Sequence, residues 1–341
     1  MQIVLLGTEF AMNGAALLLF RWAAHLARQG HVVTAVHPPK AVGPLREAYV
    51  SQGVALAETF NVDSSTVVIC NTLLAAPYVL QVAGTARTIW WLHEGEAGLP
   101  ILVAHPGAER AFAAAHAVIF PSAAIRERVY KSYLLGVPEQ RLHVVPPGLE
   151  PLDAASLEVD SSPADRPIRV ISVGSIYPRK RQADLIRAVT RLSDVPIECL
   201  LVGQIVLLAD DAVALARQAP ERIAFAGQLR HEEALRLIGR ADILALPSAS
   251  ECLPIAPLEA GQRGKAVLLS DLPAHEGVWR HGVNCLMHPV GDVDLLAHSL
   301  RILATDAALR ARLGAEARRT AARFRNDLFL TRLDMVLAGL L

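Results

Sequence analysis

Short apolar runs recur along the chain and alternate with longer stretches of helical period. QIVLLG is followed by GAALLLFRWAAHLARQG and HVVTAVH, then later by TVVIC, TARTIWWLH, HAVIFPS and RLHVVPPG. A second series runs through PIRVISVG, PIECLLVG, RIAFAG, ADILALPS and KAVLLSD. Unbroken apolar runs of this length predict strands covered on both faces, and their alternation with helices predicts mostly parallel sheets, an α/β class. Between the two series lies PPGLEPLDAASLEVDSSPADRP, with five prolines and little periodicity, which reads as an interdomain linker from about Pro146 to Pro167. After Cys285 the pattern is helical to the end, through DLLAHSLRIL, ALRARLGAEARRTAARFR and DLFLTRLDMVLAGLL. The arginine-rich middle helix is read as a solvated face in preference to a contact with an anionic surface.

At 341 residues, 52% of them hydrophobic, the chain has material for two cores of ordinary size. Thirty-three basic residues balance 33 acidic ones without a basic block, which argues against nucleic acid as the main partner. Cys70, Cys199, Cys252 and Cys285 lack the paired spacings of zinc or redox sites and read as free thiols in a reducing cytosol. The N-terminus, MQIVLLGTEF, reads as a first strand, and no run approaches the ~18 apolar residues of a membrane span. A soluble cytoplasmic protein is expected, compatible with peripheral contact at the cytoplasmic face of a membrane.

Candidate chemistry gathers just after predicted strands. In PSASECLPIAPLEAGQRGK, Glu251 and Glu259 would lie about 80° apart on one continuous helix, but Pro254 and Pro257 interrupt it. The pattern predicts a helix starting at Pro257, with Glu259 in its first turn and Glu251 in the loop after DILALP. The loop GTEFAMNG after the first strand ends at Gly14 before a long helix, a place where backbone amides can approach a phosphate. His93 follows the apolar run TIWWL and can offer a hydrogen bond to a sugar oxygen or hydroxyl, or serve as a hydrogen-bonded structural residue. In VGSIYPRKRQADLIRAV, Arg179 and Lys180 follow a glycine turn and lead into a helix; Lys180 is one of only four lysines, against 29 arginines. Two cations and an amide-rich loop suit a diphosphate, and two carboxylates suit sugar and ribose hydroxyls. Asp292-Val293-Asp294 has the form of a metal-binding Asp-x-Asp, but it opens an amphipathic helix and reads as a cap, so no metal site is expected.

These residues resemble the family 4 glycosyltransferases of the GT-B fold, over roughly residues 1 to 320. Glu251 to Glu259, continuing into Ala260, matches that family's Glu-x7-Glu motif, and VGSIYPRK matches its Gly-x5-Lys phosphate segment. HLARQGHVVTAV, VVPPGLE, LPSASE and SDLPAHE are further points of similarity. The resemblance implies two Rossmann-like domains facing across a cleft, with residues 1–155 on the acceptor side and 156–320 on the nucleotide-sugar side. A helix over 321–341 would pack back on the first domain. It further implies that Lys180 contacts the donor diphosphate, Glu259 the ribose, and Glu251 and His93 the transferred sugar. Gly14, Arg179, Cys252, Leu253 and Ile255 complete the implied donor-binding group. The chain departs from the family pattern at Asn13, Ser175 and Pro254; Asn13 can take a left-handed conformation, and Arg179 can supply the cation missing at Ser175.

The function expected is a retaining, metal-independent, cofactor-free transfer of a hexosyl-type group from a nucleoside-diphosphate sugar. The acceptor would be the hydroxyl of a glycan, a lipid-linked molecule or a small molecule. A nucleotide-sugar 2-epimerase of the same architecture and a catalytically silent nucleotide-sugar-binding subunit are the alternatives.

Overall fold

In the computed structural model, described over residues 1–105, 107–152, 166–206 and 210–340, the chain divides into two compact units. One comprises Met1–Gly148 with Asn326–Leu341, the other Leu149–Arg325. Most of the linker expected over Pro146–Pro167, and the expected boundary at 155/156, lie outside the described residues.

The first unit is a sheet of seven strands: β1 (Gln2–Leu6), β2 (Val32–Val36), β3 (Ala55–Ala57), β4 (Val67–Asn71), β5 (Arg87–Trp91), β6 (Ala117–Phe120) and β7 (Leu142–Val144). All pairings are parallel, in the order β3-β2-β1-β4-β5-β6-β7. Every residue of β4 is buried, as a strand covered on both faces requires. The helix Gly14–Arg28 buries Leu18, Leu19, Trp22, Ala23 and Leu26, a stripe of helical period. The terminal helix Asn326–Ala338 belongs to this unit, where it buries Phe329, Leu333, Val336 and Leu337. Arg21 donates to the Gly148 carbonyl at 2.9 Å, and His25 meets Asp334 at 2.8 Å.

The second unit holds β8 (Ile168–Val173), β9 (Ile197–Val202), β10 (Ile223–Gly227), β11 (Ile243–Leu246), β12 (Ala266–Ser270) and β13 (Leu286–His288). They form a parallel sheet in the order β10-β9-β8-β11-β12-β13. Each unit thus has a doubly wound order that reverses once, between β1 and β4 and between β8 and β11. Ligands of such sheets bind beyond the carboxyl ends of the strands at this reversal. β3 and β13 are missing from the sequence reading because ALA and LMH carry no β-branched residue, whereas β7, equally short, sits in the apolar run LHVV.

The arginine-rich helix Ala307–Ala321 turns Leu313, Gly314 and Ala317 inward. A Cβ on Gly314 would stand 2.0 Å from the Gly264 carbonyl oxygen, so the close approach of these two segments demands glycine there. Cys70, Cys199 and Cys285 are buried, and burial pushes Cys199 and Cys285 up to about 12; Cys252 is half-buried in a loop. Among the described residues no helix is long and apolar enough to cross a membrane.

Candidate functional site

In the second unit the loops after β8 and β11 flank the strand-order reversal, and each delivers charge to it. After β8 the chain passes Gly174 and forms the short turn Pro178–Lys180, which folds the Lys180 side chain back over Gly174. Any Cβ at Gly174 would lie 3.8 Å from the Lys180 Nζ and 3.7 Å from its Cε, and its φ of +141° is one that side-chain-bearing residues rarely adopt. After β11, Ser248 and Glu251 lie in an extended loop. Lys180 Nζ donates to Glu251 Oε1 at 2.5 Å, and Ser248 Oγ donates to the same oxygen at 2.6 Å. Glu251 is 8% exposed. Burial pushes its carboxyl up, yet the Lys180 ammonium, the Lys180 and Ser248 hydrogen bonds and the more distant Arg179 together hold it below the usual carboxylate range.

Arg179 stands with its guanidinium 3.9 Å from Glu251 Oε2. It also donates to the Ser250 carbonyl and to the Tyr177 hydroxyl, and lies 5.2 Å from the Tyr177 ring centroid. The Arg179 carbonyl accepts from Ala249 at 2.8 Å, so backbone and side chain together tie the two loops. Arg179, Lys180 and Glu251 therefore form one ion-paired cluster. The next residue, Arg181, has a left-handed φ of 51° and donates to Asp184 at 2.6 Å.

The helix that carries Glu259 differs from the sequence expectation. It runs Ile255–Gln262 with Pro254 as its extended N-cap, so it begins two residues before Pro257 and Glu259 falls beyond its first turn. Pro257 is accommodated because the first turn has N–H groups with no acceptor inside the helix. Glu259 is 6% exposed and lies 3.1 Å from His231 Nε2. Of the residues between the glutamates, Leu253 is buried and Cys252 and Ile255 are half-buried. The Ser175 carbonyl accepts from Gln182 at 3.0 Å. His275, buried beyond β12, donates from Nδ1 to the Ser270 carbonyl at 2.9 Å; burial holds its pKa below the ordinary histidine value. Asp292 caps the helix Val293–Thr305 by accepting from Leu295 at 2.9 Å, and Asp294 pairs with Arg191.

The first unit holds Gly14 and His93. Gly14 is the first residue of its helix, and Asn13 is the N-cap, accepting from Ala16 at 2.9 Å. Asn13 is extended, with φ −121°, and not left-handed, because an N-cap takes the β region while its side chain closes on the first turn. Its amide also donates to Glu9 at 3.0 Å. His93 follows β5 and meets Asn71, the last residue of β4, at 2.8 Å through Nε2, with its ring 4.6 Å from that of Trp91. Burial pushes His93 down to about 3, so it is a neutral imidazole at physiological pH. Glu94 braces this loop by accepting from Leu73 at 3.1 Å and His93 at 3.0 Å, and burial pushes its carboxyl up. Sequence reasoning missed Ser248, His231, Tyr177 and Glu94. The runs LPSASE and LHEGE place Ser248 and Glu94 beside residues already singled out, whereas His231 carries no local signal.

Residues 156–320 match the family described as Glycosyl transferases group 1. A D-inositol 3-phosphate glycosyltransferase of Mycobacterium sp. (strain KMS) is 31% identical over 167 residues, 45% of this chain and 37% of that protein. The lipopolysaccharide core biosynthesis glycosyltransferase LpsE of Rhizobium meliloti (strain 1021) is 29% identical over 171 residues, 50% of this chain and 48% of that protein. The match thus spans less than half the length of these relatives. Among solved structures, Anabaena Alr3699/HepE in complex with UDP and glucose superposes with a TM-score of 0.79 at 18% identity, covering 99% of both chains. Sucrose-phosphate synthase from Thermosynechococcus elongatus superposes with a TM-score of 0.75 at 18% identity, covering 100% of this chain and 99% of that one. The fold is GT-B, two parallel-sheet α/β units of Rossmann type with C-terminal helices.

Proposed function

We propose that this chain is a retaining glycosyltransferase that transfers a hexosyl-type group from a nucleoside-diphosphate sugar to an acceptor hydroxyl. The observation that carries the reading is the Lys180–Glu251 pair, 2.5 Å apart, set on the two loops that flank the strand-order reversal of the second unit. The group 1 match over 156–320 covers this unit, and both curated relatives are named glycosyltransferases. The HepE complexes with UDP, with UDP and glucose and with UDP-glucose make a uridine diphosphate sugar the first donor to test.

In this reading the donor diphosphate shares the Lys180 ammonium with Glu251, and Glu259 takes ribose hydroxyls. As the bond from the anomeric carbon to the phosphate oxygen breaks, negative charge grows on the leaving diphosphate, and a fixed ammonium aimed there lowers the barrier. The acceptor oxygen bonds to the anomeric carbon on the face just vacated, and its proton passes to the departing phosphate oxygen, so configuration is retained. Glu251 contacts the transferred sugar. Ser248 and Lys180 fix its carboxylate in the ionised, accepting state. In the first unit, His93 serves as a neutral hydrogen-bonding group for a sugar. Turnover needs no metal ion.

A thermal-shift screen with UDP, GDP and ADP tests this, followed by incubation of the matching sugar donors. A ligand at 100 times its Kd stabilises by about 2.7 kcal/mol. A shift with one diphosphate, and slow sugar release from its donor, is expected. Interconversion of two nucleotide sugars without release would instead mark an epimerase, and binding without any turnover a silent subunit.

A further inference from the structure

We propose that His231 is a positioning residue for the donor, holding one oxygen of Glu259 so that the other is presented to the ribose hydroxyls. The inference rests on the donor-site reading above and adds a residue to it.

The Glu259 side chain is 8% exposed, and the His231 side chain 25%. A carboxylate buried to that degree is costly unless a donor meets it. His231 Nε2 lies 3.1 Å from Oε1. At this distance a ring carrying its proton on Nε2 is attracted to the carboxylate oxygen, and an imidazolium more strongly. This attraction favours the rotamers that keep Oε1 beside the ring and leave Oε2 to accept from an incoming hydroxyl.

The local fold accounts for this reach. His231 is the first residue of the helix His231–Arg240, the crossover from β10 to β11, which packs against β8 and against the helix Ile255–Gln262. Glu233 pins the start of that helix: its Oε2 accepts from the Arg230 backbone at 3.1 Å and its Oε1 from the Arg230 guanidinium at 3.0 Å. A histidine at a helix start is ordinarily solvated, and here the packing of two helices folds it against a buried carboxylate. Preorganisation of this kind raises affinity by removing rotamers that binding would otherwise have to freeze.

The test is calorimetric titration of UDP and of 2′,3′-dideoxyuridine diphosphate into the wild type, His231→Leu, His231→Gln and Glu259→Ala, beside donor kinetics. His231→Leu keeps bulk but removes the polar partner, and should raise the Kd for UDP about tenfold, the loss of one contact to a charged group. The loss should appear in the KM for the donor and not in kcat. His231→Gln, which restores an N–H, should return most of the affinity. The dideoxy ligand has no ribose hydroxyls, so its Kd should be the same in wild type and His231→Leu within about twofold. Equal losses for both ligands, or an unchanged Kd for UDP in His231→Leu while Glu259→Ala is weakened, would overturn the role of His231 alone. No loss in Glu259→Ala would overturn the donor site itself. Should His231→Leu fail to fold, His231→Gln still decides, since tenfold weaker UDP binding in that variant would contradict the inference.

Discussion

Replacing Lys180 by methionine removes one charge from a pair whose other member stays buried. Glu251 then keeps its Ser248 hydrogen bond at 2.6 Å and the distant Arg179 at 3.9 Å, but loses the ammonium at 2.5 Å. Breaking a buried pair from one side costs about 3–5 kcal/mol, and the two remaining partners place this case near the lower end, about 3 kcal/mol. For a unit of this size that lowers Tm by about 6–12 °C at pH 7. The pH dependence carries its own sign. In the wild type the folded pKa of Glu251 is depressed, so its contribution is present above the unfolded value of about 4.3 and is lost as pH falls through the folded value. In the variant, burial acts without the ammonium and raises the folded pKa above about 4.3, so the variant gains stability as pH falls towards it. The gap between wild type and Lys180→Met should therefore be widest near neutrality and shrink towards pH 5. The double variant Lys180→Met/Glu251→Gln should recover most of the lost Tm while remaining inactive. Melting curves followed by circular dichroism across pH, set beside turnover, separate the two effects. A Lys180→Met protein with wild-type Tm at every pH, or a double variant no more stable than the single one, would show that buried Glu251 does not depend on the ammonium.

Other outcomes follow from the same geometry. Glu259→Ala should weaken UDP and raise the donor KM, since a ribose contact is similar in ground and transition states; Glu251→Gln should lower kcat without weakening UDP, since it leaves the Lys180 ammonium to the diphosphate, and equal UDP losses in both would count against the split. Turnover should survive a chelator, and loss of activity restored by magnesium or manganese would contradict that. Arg181 has a φ of 51°, so Arg181→Ala and Arg181→Gly both lose the Asp184 pair but only glycine relieves the backbone. The glycine variant should therefore be the more stable by about 1–2 kcal/mol in thermal or urea unfolding. Asp292→Ala should cost about 1 kcal/mol through loss of the N-cap and leave UDP affinity unchanged.

Much of the fold is legible because strands covered on both faces appear as unbroken apolar runs: VVIC, IWW, VISV and ILAL all form strands. The edge strands β3 and β13 escape such reading, since ALA and LMH lack the β-branched residues that mark the equally short edge strand β7 in LHVV, and pairing with a neighbour decides them. The start of the Glu259 helix is misjudged because two prolines compete for the first helical position, and the extended cap at Pro254 prevails. Asn13 is legible as a departure but not as a cap, which only its φ and the bond to Ala16 reveal. Lys180 and Glu251 stand out as chemistry at strand ends, yet their ion pair bridges 71 positions and no local pattern encodes it. His231 is less visible still, because its partner is set by the packing of two helices. Arg181 occupies a left-handed position that glycine usually holds, and nothing in PRKRQ marks it.

Under the proposed function the second unit binds a nucleoside-diphosphate sugar and cleaves it with retention. Proton NMR of α-linked UDP-glucose incubated with the protein and a chelator tests this most directly, by following the anomeric signal of the first sugar formed before it equilibrates. α-Glucose is expected first, or an α-linked product where an acceptor is present. A β anomer appearing first would contradict retention, and no release from UDP-glucose or from any other nucleoside-diphosphate sugar would contradict the assignment of this site as a transferase.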